Sequence, residues 1–146
     1  MSKDPLNTVL KLAKDAEEQA SLQYRSAKLD EQKARSQLDA LNTYRLDYMR
    51  QMGDKVGSNL SSSQYQQFHK FVDQIDQAIK QQVEAIRQTE EQLKHRHQFW
   101  LEKQQKRQAV EMLLDKKAQK KLAAQAKSEQ KMIDEFAMQQ FYRNRK

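Results

Sequence analysis

There is no cysteine among the 146 residues, and there are only two glycines and one proline. Without thiols the chain forms no disulfide and offers no thiolate chemistry, which suits a reducing compartment. With so few turn residues it does not read as a compact, loop-rich globule. No apolar run approaches the ~20 residues needed to span a bilayer. The first residues lack the apolar stretch of a secretory signal, so a soluble chain is expected. Hydrophobic residues reach only 37% and aromatics 8%, against 32% charged. Disordered chains share that balance but are usually rich in Pro and Gly. This one is rich in Gln, Lys, Glu, Ala and Leu instead, the straight-chain helix formers. Long, largely solvated helices are the expectation.

Charge is unevenly placed. Residues 1–93 carry 13 Lys/Arg and 14 Asp/Glu, and residues 94–146 carry 14 and 6. The last third therefore holds all of the net +7 and is the place for an acidic partner, a nucleic acid or a membrane surface.

Asp4-Pro5 has the form of a helix start, with Asp capping and Pro at the first helical position. The two glycines, Gly53 and Gly57, precede a Ser-rich run and mark the one credible turn. Ser63 and Gln66 fit a capping box for a second helix. The chain thus reads as a single hairpin domain over 1–146: helix one about 5–52, loop 53–63, helix two about 64–142. In the second helix Tyr65, Phe68, Val72, Ile75, Ile79, Gln82, Ile86, Thr89, Leu93, Arg96 and Trp100 recur at steps of three and four. That spacing is a coiled-coil seam. It continues through Lys103, Arg107, Val110, Leu114, Lys117 and Lys121, where its apolar character fades. The first helix is weaker: Leu6, Val9, Ala13, Ala16, Ala20, Tyr24, Ala27, Glu31, Ala34, Leu38, Leu41, Arg45, Tyr48, Met52. Two consecutive steps of four at Ala16, Ala20 and Tyr24 form a stutter. A turn centred near Gly57 sets residue i opposite about 114 − i. The second helix, ~120 Å long against ~70 Å for the first at 1.5 Å per residue, overhangs with its last thirty-odd residues unpaired. The fold class is all-α: a long antiparallel two-helix coiled-coil hairpin with a C-terminal helical overhang.

No constellation for catalysis is present. A phosphate-cradling GxxxxGK[ST] is missing, so nucleotide hydrolysis is not expected. His95 and His97 lie roughly 200° apart around a helix and cannot share a metal. They read as solvated histidines. Glu17-Glu18, Glu90-Glu91 and Asp134-Glu135 read as charge on a solvated face. No cofactor and no enzymatic activity are expected.

Two features exceed a minimal seam. Phe71, Ile75, Ala78 and Gln82 on the second helix, with Gln37, Leu41, Tyr44 and Tyr48 on the first, form a second stripe at one level of the hairpin. It either widens the seam near the loop or forms an apolar docking patch. Beyond Trp100, the lysines Lys116, Lys117, Lys120, Lys121 and Lys131 are followed by Met132, Ile133, Phe136, Phe141 and Tyr142. Such large apolar groups in a tail point to a helix that folds against something.

In those same residues — Gln37-Leu38…Leu41…Tyr44…Tyr48, Phe68…Phe71-Val72…Ile75…Ala78-Ile79, Trp100…Glu102-Lys103 and Lys131…Asp134-Glu135-Phe136-Ala137 — the chain resembles the FliJ family, coiled-coil proteins of the bacterial flagellar type III export apparatus. The resemblance covers nearly the whole chain; the N-terminal third is generic, and Gln82 departs in character. It implies a non-enzymatic, stalk-like hairpin at the centre of the hexameric flagellar export ATPase ring, promoting its assembly and activity. It implies two further partners, the cytoplasmic domain of the export-gate membrane protein and export chaperones. The implied location is cytoplasmic, peripheral to the inner membrane at the flagellar base and without membrane insertion. On this resemblance the gate-binding stripe is Gln37, Leu41, Tyr44, Tyr48, Phe71, Ile75, Ala78 and Gln82, and docking becomes its preferred reading. The ring contact is assigned to Lys116, Lys117, Lys120, Lys121, Lys131 and Phe136. The other classes to weigh are a generic coiled-coil scaffold or chaperone and a basic-helix nucleic-acid binder. No base-reading motif supports the last, and no nucleic-acid partner is expected.

Overall fold

The computed structural model describes residues 4–56 and 61–145. They form two helices, α1 (Pro5–Val56) and α2 (Ser62–Asn144), which pack together as a two-helix hairpin. Asp4 caps α1: its Oδ1 accepts the Leu6 N–H at 3.0 Å, and Pro5 occupies the first position, where no donor is needed.

The ends near the turn differ from the sequence expectation. Helix α1 continues through Gly53 to Val56, and α2 begins at Ser62. Of the expected loop 53–63, residues 57–60 and the turn centre Gly57 lie outside the described residues. The capping box forms at Ser61 and Gln64, not at Ser63 and Gln66. The Ser61 hydroxyl accepts the Gln64 N–H, and the Gln64 side chain accepts the Ser61 N–H, both at 3.2 Å. Both pairs satisfy the same motif, and the earlier one lengthens the helix by two residues. Gly53 has ordinary helical φ, and a Cβ added there meets nothing within 4 Å. Gly53→Ala is therefore expected to stabilise the hairpin by about 0.5–1 kcal/mol, read as a raised Tm, since only the conformational cost of glycine changes.

The chain divides into two compact units. One, the terminal unit, joins Met1–Glu17 to Glu102–Lys146; the other, the central unit, is Glu18–Leu101. In the central unit the seam residues of α1 from Ala20 to Met52 face those of α2 from Phe68 to Trp100, all buried or half-buried; Tyr65, at its expected start, is exposed. Ala20, Ala27 and Ala34 are buried on α1, and Ile75 and Ile86 on α2. Alanine at every seventh position lets the backbones approach closely and buries little apolar area per residue. Polar seam residues are all paired. Gln82 donates to the Ala34 carbonyl at 2.8 Å and to Gln37 Oε1 at 3.2 Å. Arg45 meets Asp76 at 2.7 Å, and Arg35 bridges Glu31 and Glu90.

In the terminal unit the seam is Leu6, Leu10, Ala13 and Glu17 against Lys103, Arg107, Val110 and Leu114. This corrects two assignments. Leu10 is half-buried where Val9 was expected, and Val9 is 41% exposed. Glu17, not Ala16, takes the next seam position, because Arg107 pairs with it and also with Glu111 at 2.8 Å. With Leu10 and Glu17 in place, the four-three spacing along α1 is unbroken and the stutter disappears. Apolarity favoured Ala16, and a cross-seam ion pair outweighed it.

Register differs as well. Contacting residues have numbers summing to between 115 and 125, as in Tyr44–Phe71, Gln82–Ala34 and Arg35–Glu90, where a turn at Gly57 gives about 114. The ends of the helices, at Val56 and Ser62, are centred two residues beyond Gly57. Pairing consequently runs further along α2: Lys117 Nζ lies 2.9 Å from Asp4, and the seam persists past Trp100 through Val110 to Leu114. The unpaired stretch begins after Lys117, about eight residues later than expected.

Candidate docking surface and unpaired helix

Near the turn end of the central unit, aromatic side chains from both helices meet on one flank of the seam. Tyr48 stands over Phe71 at 4.4 Å between ring centroids and stacks on Phe68 at 5.7 Å. Tyr44 meets the Phe71 edge at 6.0 Å. The four-residue step Tyr44–Tyr48 and the three-residue step Phe68–Phe71 place each pair on one helix face, so the hairpin brings the four rings together.

The eight stripe residues fall into three roles. Tyr44 is 54% exposed and Gln37 is exposed. Leu41, Tyr48, Phe71, Ala78 and Gln82 are half-buried, with one side in the seam and the other towards solvent. Ile75 is 5% exposed and belongs to the core. It supports the surface from beneath and presents nothing to a partner. Gln82, the position of unusual character, is occupied by its bonds to Ala34 and Gln37 and orients the Gln37 amide.

Sequence reading missed the continuation of the aromatic row. His69 lies 5.6 Å from Phe68 and 4.4 Å from Tyr65, both in edge-on geometry. The Tyr65–His69 spacing of four is a helix-face signal that the seam count passed over. A second cluster in the central unit holds the one tryptophan. Tyr24 stacks on Trp100 at 5.6 Å with an interplanar angle of 12°, and His97 sits 5.2 Å from Tyr24. His97 therefore packs against aromatic rings and is not simply solvated. Likewise Glu17, Glu90 and Glu91 are ion-paired, with Arg107, Arg35 and Arg87 respectively. Among the described residues no group of three or more His, Asp or Glu is placed to hold a metal ion.

In the terminal unit, every described side chain from Ala118 onward is exposed. Lys116, Lys120, Lys127 and Lys131, at steps of four, seven and four, share one face of α2; Leu122, Ala126, Ile133 and Ala137 share another. Met132, Ile133, Phe136, Phe141 and Tyr142 are each about two-thirds exposed. Of the six residues assigned to the ring contact, Lys117 is engaged with Asp4. Lys116, Lys120, Lys121, Lys131 and Phe136 are exposed. The Lys117 hydrogen bond, followed by the Leu6 N–H, holds the Asp4 carboxyl below its ordinary value. The Arg107 guanidinium is raised above its ordinary value, chiefly by its hydrogen bond with Glu17. Among the described residues no helix is long and apolar enough to cross a membrane.

A family model described as "Flagellar FliJ protein" matches residues 2–146. The chain is 28% identical over 106 residues to the Flagellar FliJ protein of Salmonella typhi, covering 73% of this chain and 72% of that one. It is 26% identical over 106 residues to the Flagellar FliJ protein of Escherichia coli (strain K12), with coverage of 73% and 72%.

Proposed function

The chain belongs to the FliJ family of flagellar proteins, and on that premise we propose that it is a non-enzymatic, stalk-like component of the flagellar type III export apparatus. The terminal unit, with its unpaired basic and aromatic helix, enters the centre of the hexameric export ATPase ring and promotes its assembly and turnover. The aromatic stripe of the central unit docks on the cytoplasmic domain of the export-gate protein. Export chaperones are further partners, and the protein works at the cytoplasmic face of the inner membrane without inserting into it.

The observation that carries this reading is the unpaired stretch of α2: a helix beyond Lys117 with Leu122, Ile133, Phe136 and Phe141 exposed together. Apolar groups at that density on a solvated helix mark a surface that is covered in the working assembly. The test is to add the chain to the purified export ATPase and measure turnover. Acceleration that weakens as salt rises supports the reading, because exposed lysines act over a Debye length of about 10 Å at 0.1 M. No acceleration at any salt concentration leaves a generic scaffold.

Gate docking has its own test. Tyr44 is more than half exposed and Phe71 half-buried. Replacing both by Ala is expected to cost the gate interaction at least ~2 kcal/mol, roughly thirtyfold in affinity. The fold loses the Tyr44–Phe71 and Tyr48–Phe71 ring contacts, about 0.5–1.5 kcal/mol each, and the buried part of Phe71. Titration of the gate's cytoplasmic domain and thermal unfolding read the two effects separately. A large fall in Tm with unchanged affinity would make the rings seam residues only.

A further inference from the structure

The aromatic row of the central unit does not stop at the stripe. Phe71 meets Tyr44 at 6.0 Å and Tyr48 at 4.4 Å, and Tyr48 stacks on Phe68 at 5.7 Å. Phe68 meets the His69 ring at 5.6 Å, and His69 meets Tyr65 at 4.4 Å with the ring planes 77° apart. The six rings form one row, and the row crosses the seam. At about 100° per residue, Phe71 lies roughly 70° to one side of the Phe68–Val72–Ile75 line and His69 roughly 90° to the other. Tyr65 holds a seam position by spacing yet is 54% exposed, and His69 is exposed as well. The hairpin core uses neither. The chain around them is uncharged: residues 61–68 are Ser, Gln, Tyr and Phe only. Seven residues after His69, and so on the same flank, Asp76 is paired with Arg45 at 2.7 Å.

We propose that the gate's cytoplasmic domain straddles the seam at this level, with Tyr65 and His69 as a second anchor across the seam from Tyr44 and Phe71. The inference rests on the reading of the stripe as the gate contact and extends it to two residues outside its eight. Continuity selects the occupant. The rings touch in sequence from Tyr44 to Tyr65, so a partner that covers Tyr48 and Phe71 borders directly on Phe68 and His69. An exposed tyrosine suits an anchor, because its ring offers a large apolar area and its hydroxyl keeps a polar contact. The surface that fits is apolar at its centre and rimmed by hydroxyl or amide groups, which pair with the Ser and Gln side chains beside Tyr65. A nucleic acid or an acidic partner needs cations that residues 61–68 lack. Affinity for the gate should therefore hold as salt rises, because screening acts on charge.

Three variants test this: Tyr65→Ala, Tyr65→Phe and, as a control, Tyr142→Ala. Tyr142 is 61% exposed in the terminal unit, so it matches Tyr65 in chemistry and exposure. Binding to the gate's cytoplasmic domain is measured by fluorescence anisotropy at low and high salt, and folding by thermal unfolding. Tyr65→Ala is expected to weaken binding by about tenfold or more at both salt concentrations. Tyr65→Phe and Tyr142→Ala should keep the parent affinity, and all three should be as stable as the parent. If Tyr65→Ala lowers the Tm, His69→Ala, at an exposed position, decides by the same criterion. Parent affinity in Tyr65→Ala, alongside weak binding when Tyr44 and Phe71 are both replaced by Ala, overturns the second anchor and leaves gate docking on the stripe standing. A loss in Tyr65→Phe or Tyr142→Ala equal to that in Tyr65→Ala also overturns it. So does a parent affinity that falls by about tenfold between the two salt concentrations. A parent chain that does not bind the gate overturns docking on the stripe, and the second anchor with it.

Discussion

A chain ending at Lys117 is expected to keep its hairpin and lose all acceleration of the export ATPase. Every seam contact described in the terminal unit lies at or before Lys117, including Val110, Leu114 and the Asp4–Lys117 pair. Removing the residues after it deletes only exposed side chains, so the melting curve should scarcely move. The same cut removes Leu122, Met132, Ile133, Phe136, Phe141 and Tyr142 together with most of the basic face. Burying each large apolar side chain in a partner is worth about 1.5–3 kcal/mol. Six of them supply gross attraction on the scale of the ~4–15 kcal/mol that association costs. Without them the lysines alone give weak, salt-screened attraction. The measurements are ATPase turnover and Tm for the parent and for the chain ending at Lys117. Full acceleration by the shortened chain would rule out insertion of this helix. A cut at Trp100 is a worse experiment, since it also removes the Arg107–Glu17 pair and Val110.

Ile75→Asp should unfold the central unit. Ile75 is buried in the seam, one turn from Phe71 and Ile79, and the nearby cation Arg45 already pairs with Asp76. A carboxylate at 75 enters that seam without a partner, and losing an isoleucine there leaves a cavity as well. The combined cost is about 4 kcal/mol or more, against a total stability of roughly 5–15 kcal/mol for a domain. Ile75→Val, which removes one methylene, should cost only about 0.5–1.5 kcal/mol. Circular dichroism melts of the two variants check this. The pair also bears on gate docking: loss of binding in Ile75→Asp should follow loss of helicity, and Ile75→Val should bind the gate normally. Weakened gate binding by a fully folded Ile75→Val chain would put Ile75 in the contact surface after all.

The two helices, their antiparallel hairpin and most seam positions were legible from residue order. The reason is local: helix propensity, the Asp4-Pro5 start and a four-three apolar spacing are properties of neighbours along one chain. The candidate stripe was legible too, because Tyr44, Tyr48, Phe68 and Phe71 follow helix-face spacing. Register was not. It depends on where each helix ends across the turn, and two equivalent capping motifs, at Ser61 and Ser63, left that open. Apolarity drew the first-helix seam to Ala16 and not Glu17, although Leu10 and Glu17 are the pair that keeps the four-three spacing unbroken. A charged residue enters a seam only when its counter-ion arrives from the other helix, as Arg107 does for Glu17. Spacing had already put Ile75 in the seam and Tyr44 beside it, and their 5% and 54% exposures follow; it could not show how far the other stripe residues are covered. Those outcomes are set by how closely two helices approach at each level, and only their packing in three dimensions decides them.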